Sequence, residues 1–284
     1  MKTIYLCPPW SFDVNYSINP WMEGNFHQVD RLQASSQWNE LFNTLRSAGA
    51  NLKVIAPPPA DCPDAVFIAN AGLLFKRNFI LSRFRFEERA AEEPFFAAQF
   101  APGTSADVSL LHTIDAGTRE QVAFEGAGDC LFDRRLNVLW LGFGFRTQLG
   151  AKPWIERHID ACAGHEVVLR PLELVDPRFY HLDTCFCPLD TGQLLWYPEA
   201  FSDHSRYVID LWYGERGIPI CEEDALNFAC NAVSVGKKVI LPKISRYTEQ
   251  LLSERDGLEV LQVDMSQYLR SGGACKCLTL EAVE

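Results

Sequence analysis

The sequence predicts an α/β fold, a propeller-like ring of five ββα-type units that makes one domain of residues 1–284. Three observations predict it. A pattern of β-rich run, polar turn and second β-rich run recurs four times along the chain. Amphipathic, helix-like stretches lie between the repeats. The two ends of the chain carry what look like the separated halves of a fifth repeat.

In chain order, Thr3–Trp10 (TIYLCPPW) is a lone strand of the second-strand kind. Ser36–Ala48 follows as a helix, with Trp38, Leu41, Phe42 and Leu45 at the i, i+3, i+4 spacing of one apolar face. Ala56–Pro63 (APPPADCP) is a stiff loop, since proline fixes φ and lacks a donor. Four hairpins are expected at Ala65–Phe84, Gly128–Phe145, Thr184–Phe201 and Ala229–Ser245, with turns at KRN, DRRLN, DTG and GKK. Further helices are expected at Phe86–Phe100, Pro153–Ala163, Asp203–Tyr213 and Ser245–Glu254. The closing segment KCLTLEA is a first strand without a partner. Pairing it with the opening strand completes a fifth unit, closes the ring and removes an exposed edge. A spacing of roughly 45 to 60 residues suits radial or solenoid repeats. The competing expectation is a generic α+β domain with accidental similarity.

Composition sets outer limits. The chain is 48% hydrophobic and 22% charged, ordinary for a globular protein with a sizeable core. Its net charge of −11 disfavours nucleic acid and anionic membranes as partners and suits a small cationic ligand. The first residues, MKTIYLCPPW, hold too short an apolar run for a signal peptide, and no run approaches the roughly 20 apolar residues of a membrane span. A cytoplasmic location is therefore expected, with the 10 cysteines kept as thiols. Cys185 with Cys187, and Cys275 with Cys277, form CxC pairs. No CxxC…CxxC or HExxH spacing occurs, so neither a metal nor a cofactor is expected.

In a ring of repeats, strand ends converge on the centre, so polar residues at equivalent ends should meet. The first repeat offers Asn70, the second Glu125 and Asp129 (FEGAGD), the third His181 and Asp183 (HLD), and the last Cys277 (SGGACKC). Each has a plainer explanation taken alone: a turn residue, solvated loop charges, a core histidine, one more buried thiol. Together they form a nucleophile, a base and acidic anchors. Gly272 and Gly273 allow the tight turn and close backbone approach that would present Cys277 to a cleft. Lys276 adjoins Cys277, but alternation along a strand would point it the other way.

At this point the chain resembles the guanidino-group-modifying enzymes, or penteins. FEGAGD is similar to their EGGD-type motif, HLD to their His-x-Asp motif, and GGACKCLT to their glycine-rich nucleophile motif. INPWMEGN (Ile18–Asn25), FIANAGL (Phe67–Leu73), ERAAEEPF (Glu88–Phe95), FYHLDTCFCPL (Phe179–Leu189) and the final CLTL resemble the arginine dihydrolase domain found in cyanobacteria. The likeness spans nearly the whole chain. In those proteins the domain precedes further sequence, whereas this chain stops just after CLTL, so the activity of that region is expected to be lacking.

The resemblance implies the fivefold α/β propeller. It also implies Cys277 as nucleophile, His181 as general acid/base, Glu125 orienting His181, and Asp183 anchoring a guanidinium. Arg89 and Asn19 match positions that hold the substrate's carboxylate or amino end. Asp129 falls within the motif and is grouped with the substrate-binding residues. One departure stands out: arginine deiminases carry Asp where this chain has Asn70.

The expected chemistry is attack by Cys277 on the guanidinium carbon, loss of ammonia and hydrolysis of a covalent amidino-thiol intermediate to citrulline. Asn70 would let neutral citrulline stay for a second attack, giving ornithine, ammonia and carbon dioxide. The alternatives are an arginine deiminase, a dimethylarginine dimethylaminohydrolase, an amidinotransferase, or a non-catalytic arginine-binding sensor. The oligomeric state, homo-oligomer included, is left open.

Overall fold

A computed structural model describes residues 2–101, 103–104, 109–111, 122–163, 167–255 and 257–283. Its strands are β1 (Thr3–Leu6), β2 (Asn51–Val54), β3 (Gly72–Phe75), β4 (Asn78–Leu81), β5 (Ser109–Leu111), β6 (Cys130–Asp133), β7 (Val138–Phe143), β8 (Val168–Glu173), β9 (Phe186–Pro188), β10 (Leu194–Trp196), β11 (Gly217–Pro219), β12 (Val233–Val235), β13 (Lys238–Pro242), β14 (Glu259–Val263) and β15 (Leu280–Glu281). The α-helices are α1 (Arg31–Ser47), α2 (Glu92–Gln99), α3 (Gly126–Asp129), α4 (Lys152–Ala163), α5 (Asp203–Tyr213), α6 (Glu222–Leu226) and α7 (Arg246–Glu254).

The strands form five three-stranded sheets of one design. In each, an antiparallel pair is extended by a third strand running parallel to the middle one. Parallel neighbours need a long crossover. Helices α1, α2, α4, α5 and α7 supply the crossovers. β15 pairs antiparallel with β1, Ile4 opposite Glu281 and Tyr5 opposite Leu280, so the two ends of the chain share one sheet. Single bridges join sheets to one another: Arg83 to Phe124, Leu174 to Phe201, and Phe75 to Val283.

The four hairpins lie where the turn residues place them. Lys76, Asn137, Gly192 and Gly236 adopt positive φ, the left-handed conformation that reverses the chain tightly. Two expectations are corrected. The units are ββαβ rather than ββα: β2, β5, β8, β11 and β14 went unread. β5 and β11 are only three residues long, too short to show a period, and pair with strands distant in sequence. The first-strand runs are also partly helical. Pro63–Val66 and Ile68–Ala71 are 3₁₀ turns, and the strand begins at Gly72. Likewise Cys275–Leu278 is a turn, leaving only Leu280–Glu281 as strand.

Helix ends follow local chemistry. α1 starts five residues before the expected Ser36, because the Asp30 carboxylate caps Leu32 and Gln33. Ser202 caps α5 and Ser245 caps α7. The stretch Phe86–Phe100 splits into a 3₁₀ turn (Glu87–Arg89) and α2. Pro94 is the third residue of α2, within the first turn where a missing N–H costs nothing. Apolar side chains from sheets and helices pack into three buried clusters, and Cys277 belongs to the one between α1 and the termini. Among the described residues no helix is long and apolar enough to cross a membrane.

Candidate active site

Each unit places a short turn just before its first hairpin strand, and these turns carry the chemistry. Asn70 is the third residue of the 3₁₀ turn Ile68–Ala71 before β3. Glu125 stands at the N-cap of α3 and Asp129 is its last residue, just before β6. His181 and Asp183 open the turn before β9. Asn231 precedes β12, and Cys277 sits in the turn before β15.

A small cavity brings several of them together. Ile18, Asn19, Asp64, Phe67, Asn70, Arg89, Arg146, Tyr180, His181, Ser271, Gly272 and Cys277 line it. Glu125, Asp129 and Asp183 stand behind this lining, all buried. The sequence-derived residues thus cluster, with three of them acting from the second layer.

Glu125 is a hub. Its Oε2 lies 2.7 Å from His181 Nε2 and 3.1 Å from Arg146 Nη1, while Oε1 accepts from the Arg85 backbone N–H at 3.1 Å. Burial works to raise its carboxyl, but Arg146 and His181 outweigh this and hold it well below the usual range. Arg146 packs between the rings of Phe86 and Tyr180, at 4.8 and 4.6 Å, and donates to Ile18 O at 3.0 Å. It ties the segment before α1 to the carboxylate behind the histidine.

Asp183 faces Cys277. The Cys277 thiol donates to Asp183 Oδ2 at 3.3 Å. Asp183 Oδ1 is buried with no hydrogen-bond partner among the described residues. Burial pushes the Asp183 carboxyl up to about 7, against the thiol, the Lys276 charge and Asn231. Burial and the Asp183 charge push the Cys277 thiol well above its ordinary range. The thiol donates to one oxygen of Asp183, and the other oxygen is short of donors. That imbalance suits a cation bearing N–H groups.

Asp129 has another task. Its Oδ1 accepts from Leu182 N at 3.0 Å and its Oδ2 from Thr147 N at 3.2 Å. It fastens the His181–Asp183 turn to the segment carrying Arg146. Burial holds its carboxyl at about 6. Arg89 makes a two-point ion pair with Glu92, at 2.8 and 2.7 Å, and donates to Asn70 Oδ1 at 2.9 Å and Asp64 O at 3.3 Å. Asp64 accepts from Tyr16 and Ser271 at 2.9 and 3.0 Å. Asn19 Oδ1 accepts from Trp21 N and Met22 N and so caps the turn Pro20–Met22, and Asn19 Nδ2 donates to Ser271 O at 3.1 Å.

The glycines are steric requirements. Gly272 has φ +81°, and a Cβ there would meet Tyr180 Oη at 2.8 Å and Asn19 Oδ1 at 3.0 Å. A Cβ on Gly128 would come within 2.2 Å of Asn70 Nδ2. Lys276 does point away from the thiol, toward Glu281 at 3.7 Å, but the cause is a turn rather than strand alternation. The nine cysteines of the described residues outside α4 are free thiols. Among the described residues no cluster of His, Cys, Asp and Glu is arranged to hold a metal ion.

Sequence reasoning missed Asp64, Glu92, Arg146, Tyr180 and Asn231. Only Asn231 had a legible signal. It stands in the fourth repeat at the point equivalent to Asn70, Asp129 and Asp183, the one repeat from which no polar residue was taken.

The geometry defines a buried cysteine–histidine–carboxylate site on an α/β fold of five like sheets. Residues 14–284 match the family model described as "N,N dimethylarginine dimethylhydrolase, eukaryotic". The chain is 44% identical over 282 residues to the bifunctional arginine dihydrolase/ornithine cyclodeaminase ArgZ of Synechocystis sp., covering 99% of this chain and 38% of that protein. It is 37% identical over 277 residues to the N(G),N(G)-dimethylarginine dimethylaminohydrolase of Mycobacterium tuberculosis, covering 97% of this chain and 84% of that protein. The crystal structure of the substrate-bound N-terminal domain of ArgZ, a cysteine-to-serine mutant of "an arginine dihydrolase from the Ornithine-Ammonia Cycle in Cyanobacteria", superposes with a TM-score of 0.91 at 42% identity, covering 100% of this chain and 99% of that one. The chain belongs to the dimethylarginine dimethylhydrolase family. It spans less than two-fifths of the length of the bifunctional cyanobacterial relative.

Proposed function

We propose that this protein is a cysteine-dependent hydrolase of the guanidino group of L-arginine, and that it carries the reaction through to ornithine. The observation that bears most weight is Asp183, with one oxygen on the Cys277 thiol and the other buried without a partner. A guanidinium is planar and rich in N–H donors, so it fills that vacancy with charge and geometry together. Relatives solved with substrate, with a covalent reaction intermediate and with product support the same chemistry.

Binding of the cation sets the reaction going. Its positive charge beside Cys277 lowers the thiol's pKa, so the thiol passes its proton to His181, which lines the same cavity, and the thiolate forms when substrate is present. The thiolate attacks the guanidinium carbon, a C–N bond breaks, and His181 hands its proton to the departing ammonia. Glu125 fixes the imidazole and stabilises its charged form, as the 2.7 Å contact allows. His181 then takes a proton from water, which adds to the amidino carbon. The C–S bond breaks and citrulline forms. A second attack and hydrolysis consume another water, so that arginine and two waters give ornithine, two ammonia and carbon dioxide.

Asn70 governs the second round in this proposal. Arg89 occupies its Oδ1, which leaves Nδ2 toward the interior, donating to Glu125 O at 3.4 Å. An amide is less selective for cation over neutral ureido group than a carboxylate. Arg89 and Asn19 line the end of the cavity where the substrate's carboxylate and amino groups would sit. Asp129 supports the wall.

We further infer that the five sheets close into one ring and that residues 1–284 act as one catalytic domain. The β1–β15 pairing and the bridges between sheets support both. A cytoplasmic setting suits the nine free thiols found among the described residues.

The family match favours one further outcome, release of an alkylamine from a methylated arginine. Incubation with arginine, dimethylarginine and agmatine, with identification of every product, decides between them. Ornithine and ammonia from arginine are expected. Citrulline alone, an alkylamine alone, or an amidino group passed to an added amine would each replace the proposal.

A further inference from the structure

Asn231 is fully buried just after α6, on the wall facing the Cys277 turn. Its side-chain oxygen accepts from three backbone donors in and just before that turn: Ala274 N at 3.1 Å, Lys276 N at 2.9 Å and Cys277 N at 3.1 Å. Its nitrogen donates to Asp183 O at 2.9 Å and to Cys277 Sγ at 3.1 Å. The amide's orientation is therefore forced. Ala274 N and Cys277 N depend on the side-chain oxygen, Lys276 N shares it with the Asn231 backbone oxygen at 3.1 Å, and the two hydrogens of Nδ2 are left for one carbonyl and one sulfur.

We propose that Asn231 is a positioning residue that acts on Cys277 through both ends of its amide, an inference that rests on Cys277 being the nucleophile. The oxygen gathers the turn and sets where the sulfur stands. The nitrogen donates to the sulfur and favours its ionised form, opposing the Asp183 carboxylate on the other side. The turn alone does not need an amide. Three donors exceed the two lone pairs of a carbonyl oxygen, and a carboxylate would accept them more comfortably. What asparagine has and aspartate lacks is the donor aimed at the thiol.

That difference makes Asn231→Asp the informative variant. The variant keeps an oxygen for the N–H groups of the turn, while the donor that now faces Sγ and Asp183 O is replaced by a second oxygen. The measurement is the rate of Cys277 alkylation by iodoacetamide across a pH series, with the modified site located by mass spectrometry. The expected result is a profile displaced upward by about one pH unit or more, with alkylation ~10-fold slower at a fixed pH. With arginine, kcat should fall on the order of 100-fold while KM changes far less. A variant that alkylates along the wild-type profile would overturn the proposal and leave Asn231 as a turn anchor alone. If the wild-type protein released no ammonia from any guanidino compound, the proposed function would fail, yet the alkylation comparison would still decide the role of Asn231. Should Asn231→Asp not fold, ¹⁵N-asparagine labelling of the wild type decides. The Asn231 side-chain resonances should move when Cys277 is alkylated, and unmoved resonances would sink the idea.

Discussion

Arg89 Nη1 donates to Asn70 Oδ1 at 2.9 Å, and this contact fixes which way the Asn70 amide faces. Asn70→Asp would keep the acceptor for Arg89 and replace the donor end with charge. A site with a carboxylate there prefers a cation, so citrulline should escape before a second attack. The ratio of citrulline to ornithine should rise by about tenfold for each ~1.4 kcal/mol of added selectivity. Product analysis by chromatography checks it, and an unchanged ratio would remove Asn70 from control of the second round.

Gly128 enforces the same orientation sterically. A Cβ at this position would lie 2.2 Å from Asn70 Nδ2, so Gly128→Ala must displace the amide. Overpacking of this kind costs about 1–3 kcal/mol. The expected outcome is a lowered melting temperature together with a product ratio that moves as it does on altering Asn70. A stability loss with wild-type products would show that the amide's exact placement is immaterial.

Asp183 gives a pH-dependent prediction. Its carboxyl sits at about 7 when folded against an ordinary 3.8, so the folded state holds the proton longer than the unfolded chain. Between those two values stability therefore falls as pH rises, by an amount on the order of 4 kcal/mol at most. Glu125 works oppositely, since its depressed carboxyl contributes stability above its unfolded pKa that is lost as pH falls toward the folded value. Asp183→Asn should stabilise the protein more at pH 8 than at pH 5 while abolishing activity. Melting temperatures at both values test this, and an equal gain at each would contradict the shift.

Cys277→Ser should lower turnover by at least about 10³-fold, because a hydroxyl in this buried setting is a far weaker nucleophile. Arginine should still bind, since Asp183, Arg89 and the rest of the wall are untouched. Calorimetric binding with no ammonia release is the expected pair of results. Wild-type turnover in this variant would end the covalent mechanism.

Much of the fold was written locally. The turns at Lys76, Asn137, Gly192 and Gly236 announce themselves by residue type, and with them four hairpins. Asp203–Tyr213 matches its helix end to end, because Ser202 caps the start and the apolar face is regular. The candidate residues Asn70, Glu125, His181, Asp183 and Cys277 were found because one repeat carries them at one place in each unit. The same logic applied to the fourth unit would have reached Asn231.

The sequence by itself determined the repeat, the union of the two termini in one sheet, and the choice of candidate side chains, since turn chemistry and periodicity depend only on neighbours along the chain. The tertiary structure alone decided how those side chains are charged and shared. Arg89 and Glu92 are three residues apart, but their pairing gains meaning only because Asn70 and Asp64 close around them. Arg146 reaches Glu125, and Asn231 reaches Cys277 across 46 residues, through contacts that no local pattern encodes. Burial in a common interior sets the pKa of each group, and burial is a property of the packed whole.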